Sequence, residues 1–380
     1  MQEVYITKVA KFLPNELINN DEMEHYLGLI NGKPSKSKRI ILRNNGIQGR
    51  YYAITKEGKS THTNAEMVAS AIRRLFLGDS EGIKSVDLLC CGTSTPDQMI
   101  PSHAVMVHGN LPESSSIEVV SPSGVCCSGM HAFKYAYLSV LSGDKQKAVC
   151  TGSERISPIL KAETFDTEAE KIEQLNNDPY IAFEKDFLRW MLSDGAGAFL
   201  LENKKSENGI SLKVEWIEAI SYANTMETCM YMAAEKNDDG TLKSYMDHSP
   251  AEIIDKSLLS VKQDIKLLSE NIVKLGFSKM KGILNKRNFN VEDISYFLPH
   301  ISSYFFEDKI VNILNENGIS IPKEKWFTNL RTKGNIGSGS IYIMCEELFN
   351  SGKLVKGEKI LLAVPESSRF SYVFCLLTVV

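Results

Sequence analysis

The feature that most constrains this chain is the alternation of short apolar runs with helix-period segments along nearly its whole length. VDLLCCGTS (86–94), SIEVVS (116–121) and KAVCTGSE (147–154) are apolar, bounded by turn residues and too short for helices, as buried strands are. Upstream of them, Glu66–Leu77 sets Met67, Val68, Ala71, Ile72, Leu75 and Phe76 on one helical face. The opening MQEVYITKVAKFLP reads as a further strand. The second half repeats the pattern with SLKVEWIEAI (211–220), a long helix near Ala251–Leu275, ISYFLPH (294–300), a helix near Phe306–Asn317, and the closing pair KILLAVPE and SYVFCLLTVV. Such alternation demands an α/β protein whose sheets are covered by helices. It predicts two pseudo-duplicated halves, 1–205 and 206–380, separated by the polar loop 203–209, with a second exposed loop at 236–244. The charged stretch 158–185 reads as an insertion or cap.

With 380 residues, 43% of them hydrophobic and 24% charged, the chain has ample material for a core larger than one average domain. A net charge of -4 supplies no global field for nucleic acid or lipid headgroups, and the basic run KMKGILNKR (279–287) reads as a solvated face. No apolar run reaches the roughly 20 residues that span a bilayer, so the expectation is a cytoplasmic protein. The eight cysteines, at 90, 91, 126, 127, 150, 229, 345 and 375, show neither C-x-x-C nor Cys/His zinc spacing. Metal and disulfides are not expected, and most of these cysteines read as small core residues.

One cysteine has an unusual setting. In SPSGVCCSGM (121–130), Pro122 and Gly124 break the chain after a strand, and a helical pattern follows through Met130, Phe133, Ala136, Tyr137 and Val140. Cys127 therefore stands where a helix begins, and free amides and the helix dipole there favour a thiolate. Cys126 would point elsewhere and pack. Inert strand-turn-helix cysteines are common too, so the setting alone leaves reactive and packing roles open. His300 ends the apolar run YFLPH, where α/β folds present functional side chains, although such a histidine also serves structure. Asn335 lies in TKGNIGSGSIY, where an amide either donates to a ligand or satisfies its own turn.

These residues carry a family resemblance. GTSTPDQMIPSHAVMVHGNL (92–111), VCCSGM, SDGAGAFLL (193–201), YFLPHISS and KGNIGSGSI occur in the order of the signatures of β-ketoacyl-acyl-carrier-protein synthase III, a condensing enzyme of the thiolase superfamily. The chain resembles that family over nearly its whole length. The resemblance implies a five-layered αβαβα thiolase fold, a homodimer, and a catalytic set of Cys127, His300 and Asn335. It implies acyl transfer from a coenzyme A or carrier-protein thioester onto Cys127, with no permanently bound cofactor. It further implies an oxyanion hole from Cys127 and Ser368, an enolate held by His300 and Asn335, and donor contacts from Arg43 and Arg50.

Two departures bear on the substrate. The segment after the histidine is His300-Ile301-Ser302-Ser303, and the glycine-rich loop before the last strand is replaced by VPESSRFSY (364–372), which adds bulk and charge. The N-terminal segment and GSERISP (152–158) also resemble ketosynthase/cyclases of dialkylresorcinol and bacterial stilbene biosynthesis. That subgroup implies a β-ketoacyl acceptor whose acidic methylene loses a proton before ring closure. Glu154 is the candidate base, positioned by Arg155 or Arg369; its other reading is a carboxylate of the tunnel wall or dimer contact. The alternatives are an ordinary decarboxylating synthase III using malonyl carrier protein, thioester synthesis of the hydroxymethylglutaryl kind, and a non-catalytic partner subunit. A papain-like protease shares the Cys, His, Asn order but predicts a nucleophile motif that is absent here.

Overall fold

The computed structural model describes residues 2–79, 81–165 and 187–380. Nine strands form its main sheet: β1 Tyr5–Phe12, β2 Leu88–Thr93, β3 Glu118–Val120, β4 Lys147–Glu154, β5 Gly195–Glu202, β6 Leu212–Ser221, β7 Ile294–Pro299, β8 Lys359–Glu366 and β9 Ser371–Val379. Six helices pack on it: α1 Asn64–Leu75, α2 His103–Gly109, α3 Cys126–Ser142, α4 Ile265–Lys286, α5 Glu307–Glu316 and α6 Ser340–Phe349. The spatial strand order is β7-β8-β9-β6-β1-β5-β4-β2-β3. Between β1 and β6 only Tyr5 with Lys213 and Ile6 with Leu212 are paired, so the sheet bends there into two leaves.

Side-chain alternation along the strands shows why helices cover both leaves. In β2, Cys90 faces a core shared with α3 and α6, while Leu89 and Cys91 face α1 and α2. In β9, Val373 and Cys375 enter that same central core, while Phe374 and Leu376 meet α4 and α5. Strands buried on both faces need continuous apolar sequence, and these have it. The resulting layers are α1/α2, first leaf, α3/α6, second leaf and α4/α5, the αβαβα order implied by the resemblance. Phe199 stacks on Tyr342 with ring centroids 4.2 Å apart and meets Phe133 edge-on, tying the first leaf to both central helices.

The expected long helix at 251–275 is displaced. A capping box with Ser249 and Glu252 starts a short helix, Pro250–Asp255, and Ser257 then adopts φ 45°, which ends it. The long helix starts only where Asp264 caps the Leu267 amide, and it continues through the run taken as a basic surface. The loop expected at 236–244 is a hairpin pairing Ala234–Lys236 with Leu242–Ser244. Of the expected insertion, 157–164 forms two short 3-10 turns, and its remainder from 166 onward lies outside the described residues. No helix among the described residues is long and apolar enough to cross a membrane.

Candidate active site

The start of α3 lacks a cap of its own. Val125 precedes it with φ -111° and ψ -120° and offers no side-chain oxygen to the first-turn amides. Those donors are satisfied from the far end of the chain instead. Glu366, the last residue of β8, accepts from the Val125 amide at 3.0 Å and the Cys127 amide at 2.9 Å through Oε2. Its Oε1 accepts from the Ser368 hydroxyl at 2.6 Å.

A second buried carboxylate ends β4. Glu154 accepts from the hydroxyls of Ser94 at 2.6 Å, Thr95 at 2.7 Å and Ser338 at 2.9 Å, and from the amides of Ser94 and Ser338. Burial pushes its carboxyl up against those hydrogen bonds, which pull it down. Gly337, at φ +49°, is required beside it, because a Cβ there would lie 2.9 Å from the Glu154 side chain.

His300 follows β7, and its amide donates to the Ala363 carbonyl at 2.8 Å, which fixes the ring beside the end of β8. Its Nε2 is buried without a hydrogen-bond partner, and burial pushes its pKa down to about 4, so the imidazole is neutral at pH 7. Asn335 uses its side-chain oxygen to accept from the Gly337 amide at 2.9 Å, which leaves the NH₂ as the group it can offer a ligand.

A cavity of about 390 Å³ joins these groups, with Cys126, Glu154, His300, Asn335 and Ser368 along its polar end. Its other end lies between the second leaf and the outer helices, walled by Ile272, Phe277, Met280, Leu314 and Phe374. Gly276 in α4 also lines it, where a Cβ would stand 2.8 Å from the Tyr372 ring. The loop replacing the glycine-rich segment pointed to this wall in the sequence, whereas the mid-helix glycine, a signal that could have done so, was not read.

The structure brings His300, Asn335, Glu154 and Ser368 together but separates the two cysteines differently from the sequence reading. Cys126 is on the cavity wall, whereas Cys127 is 0% exposed and donates its thiol to the Val364 carbonyl at 3.3 Å. The expected lowering of the Cys127 thiol pKa is overturned. Burial pushes it up and the Glu366 charge adds to that, because the amides that would favour a thiolate already hold a carboxylate. The amide of Cys127 implied as an oxyanion donor is likewise engaged by Glu366; the Ser368 hydroxyl also donates to that carboxylate, which leaves the role implied for the Ser368 amide untouched.

The basic residues also fall elsewhere. Arg50 is 0% exposed and donates to Asn20 at 2.8 Å, so it is no tunnel-mouth contact; it is buried by Trp190 and the 334 turn. Arg43 is exposed on the helix Lys38–Asn45, outside the cavity wall. Arg369 is exposed and donates to the Met226 carbonyl, and Arg155 pairs with Asp97 at 3.2 Å, so neither positions Glu154. Asp194, in SDGAGAFLL, accepts from the Ala53, Ile156 and Ser157 amides and pins loops together, with no cavity role. Among the described residues no cluster of His, Cys, Asp or Glu has the makings of a metal site.

The C-terminal family model of 3-oxoacyl-[acyl-carrier-protein] synthase III matches residues 284–364, which hold β7, His300, Asn335 and α6. Full-length relatives include β-ketoacyl-[acyl-carrier-protein] synthase III of Clostridium perfringens, 24% identical over 363 residues and covering 95% of each chain. Among solved structures, AbyA1, a tetronic acid condensing enzyme, superimposes with a TM-score of 0.75 at 17% identity, covering 99% of both chains. OleA of Xanthomonas campestris, solved with bound lauric acid and lauroyl-CoA, superimposes with a TM-score of 0.74 at 18% identity and the same coverage. The fold is the thiolase fold, and the sequence is similar to synthase III relatives over most of its length.

Proposed function

We propose that this ketosynthase III-like chain of the thiolase superfamily is a condensing acyltransferase. It joins an acyl group carried on Cys127 to a second acyl thioester by Claisen condensation, and closes a ring when the second thioester is a β-ketoacyl carrier protein. The observation that carries the reading is the cavity itself. It is apolar enough for an aliphatic chain at one end, and at the other it gathers a neutral histidine with a free nitrogen, an amide donor, a buried carboxylate and the turn that carries Cys127, whose neighbour Cys126 is on the wall.

Each group has a task in that chemistry. The thiol attacks the first thioester and holds the acyl group while the carrier thiol leaves. His300 and Asn335 face the same space and donate to the oxygen of the enolate formed from the second thioester. With malonate, loss of carbon dioxide makes that enolate and no base is needed. With a β-ketoacyl thioester the acidic methylene must lose a proton, and Glu154 supports this reading because it is a carboxylate on the cavity wall that burial pushes up. Acyl carrier protein or coenzyme A is the carrier, and a homodimer is the working assembly in this reading. The full-length similarity to synthase III relatives favours, as second reading, plain decarboxylative condensation with malonyl carrier protein.

The test is to supply an α,β-unsaturated acyl thioester with either malonyl or β-ketoacyl carrier protein and to identify the products by mass spectrometry. A cyclohexanedione formed only with the β-ketoacyl partner is expected. Product from malonyl carrier protein alone sinks the cyclase reading and leaves the ordinary synthase.

A further inference from the structure

Glu366 stands in none of the roles above, yet it is the group that touches the nucleophile turn. It is 7% exposed, and it reaches α3 across 239 residues of sequence to hold the Val125 and Cys127 amides. Two amides converging on one oxygen are the arrangement that holds the oxygen of an acyl group under attack. The carboxylate therefore sits where the thioester oxygen has to go. The Cys127 thiol donates to the Val364 carbonyl, two residues before the glutamate whose carboxylate holds the Cys127 amide.

We propose that Glu366 is the proton acceptor for the Cys127 thiol, and that on being neutralised it yields the Val125 and Cys127 amides to the incoming thioester oxygen. This rests on the acyl-transfer reading and adds a residue to it. In the step, the S–H bond of Cys127 breaks and the proton passes to a carboxylate oxygen of Glu366. The sulfur attacks the thioester carbonyl, whose oxygen takes the two amides. The C–S bond to the carrier then breaks, and the departing carrier thiolate takes the proton from Glu366. No oxidant or metal enters, and the carboxylate is restored. A neutral carboxyl accepts hydrogen bonds more weakly than a carboxylate, so transfer of the proton itself loosens the hold on the amides. The groups that share this pocket's titration are Cys126, Cys127 and His131 on α3, Tyr372 on β9, His300 after β7 and Glu154 at the end of β4. The Glu366 charge raises both thiols, which opposes a standing thiolate and suits a proton that moves only during attack.

Acyl loading of full-length protein by an acyl-CoA, followed by intact mass after rapid quenching, tests the step beside iodoacetamide alkylation of Cys127 across pH. For Glu366→Gln, loading at pH 7 is expected to fall on the order of 10²-fold or more while the thiol pKa read by alkylation moves down. Those two changes run in opposite directions, which a packing defect does not produce. Glu366→Ala is the second variant, with loading recovered by added formate. Loading of Glu366→Gln at or above the wild-type rate overturns the proposal and makes Glu366 a simple plug. So does an unchanged thiol pKa, or failure of formate to rescue a folded Glu366→Ala. Wild-type protein that takes no acyl group from any thioester overturns the acyl-transfer reading and this role together. Wild-type loading matched by the variant overturns this role alone.

Discussion

β4 and β8 occupy matching places in the two halves: each is eight residues long, begins with lysine and ends with a buried glutamate. Each glutamate serves the central helix of the other half. Glu154, from the first leaf, accepts from Ser338 in the turn before α6, and Glu366, from the second, accepts from Cys127 at the start of α3. They differ in what surrounds them. Glu154 is enclosed by four hydroxyls, the Thr93 one at 3.5 Å, and two amides, so its place is fixed from several sides. Glu366 has two amides and one hydroxyl, and the amides belong to the turn on which a thioester would be attacked. The same device thus pins one end of the site and leaves the other able to change.

The largest effect expected concerns the cysteines beside Glu366. If Cys127 carries the acyl group, Cys127→Ala loses acyl-enzyme by at least about 10³-fold, while Cys126→Ala keeps loading within about threefold. Peptide mapping of the acylated protein reads this directly. Loading that follows Cys126 instead moves the nucleophile to the cavity-wall thiol.

Stability separates the two carboxylates next. Glu154→Ala strands the Ser94, Thr95 and Ser338 donors in a closed space and is expected to cost about 3 kcal/mol. Glu366→Ala is expected to cost about 1 kcal/mol, in the range of a lost helix cap. Urea unfolding of both variants checks the ratio, and equal costs break the distinction between a pinned and a yielding end.

How far this was legible in the sequence follows from how local each signal is. Strands such as KAVCTGSE and the helix of α3 were legible because their apolar spacing is local, and so were His300 and Asn335 as groups at element ends. The reciprocal carboxylates were not, because Glu366 and Cys127 meet only through the packing of two halves. VPESSRFSY was visible as a substitution of charge for glycine, but its target was hidden. Arg50 misled for the same reason: nothing local distinguishes a surface arginine from one whose guanidinium is buried on Asn20.

Acid sensitivity is shared by the two ends and comes third. His103, 3.4 Å from the Ser153 hydroxyl beside Glu154, and His300, beside the end of β8, are both pushed by burial down to about 4. From about pH 6.5 down to 4 the unfolded chain binds protons at these positions that the folded chain does not. Stability from each is therefore full above about 6.5 and lost as pH falls through that window, by roughly 1–3 kcal/mol per residue. Glu154 and Asp194, raised by burial, carry the opposite slope above their ordinary values, so the histidine share is read by difference. Urea midpoints of His103→Gln and His300→Gln against wild type from pH 4 to 7 are expected to show a flatter slope in each variant. An unchanged slope in His300→Gln would mean that burial does not hold the imidazole neutral through this window.

The smallest effect is expected at the apolar end of the cavity. In a solvent-exposed helix interior, replacing a glycine gains roughly 0.5–1 kcal/mol of helix stability. At Gly276 the new Cβ meets the Tyr372 ring at 2.8 Å, and Tyr372 is held by its hydroxyl on the Ile272 carbonyl at 2.9 Å. The ring cannot retreat without breaking that bond, so the clash outweighs the helix gain, and Gly276→Ala is expected to lose about 1 kcal/mol of stability and to narrow the cavity. Acyl-CoA substrates of graded length then report on the wall separately from the chemistry. Preference is expected to move toward shorter chains by a few-fold in kcat/KM while loading with the shortest acyl group stays unchanged. A variant that loses short and long chains alike would mean that Tyr372, which neighbours Cys127 across β9, transmits the change to the Glu366 end rather than to the acyl wall.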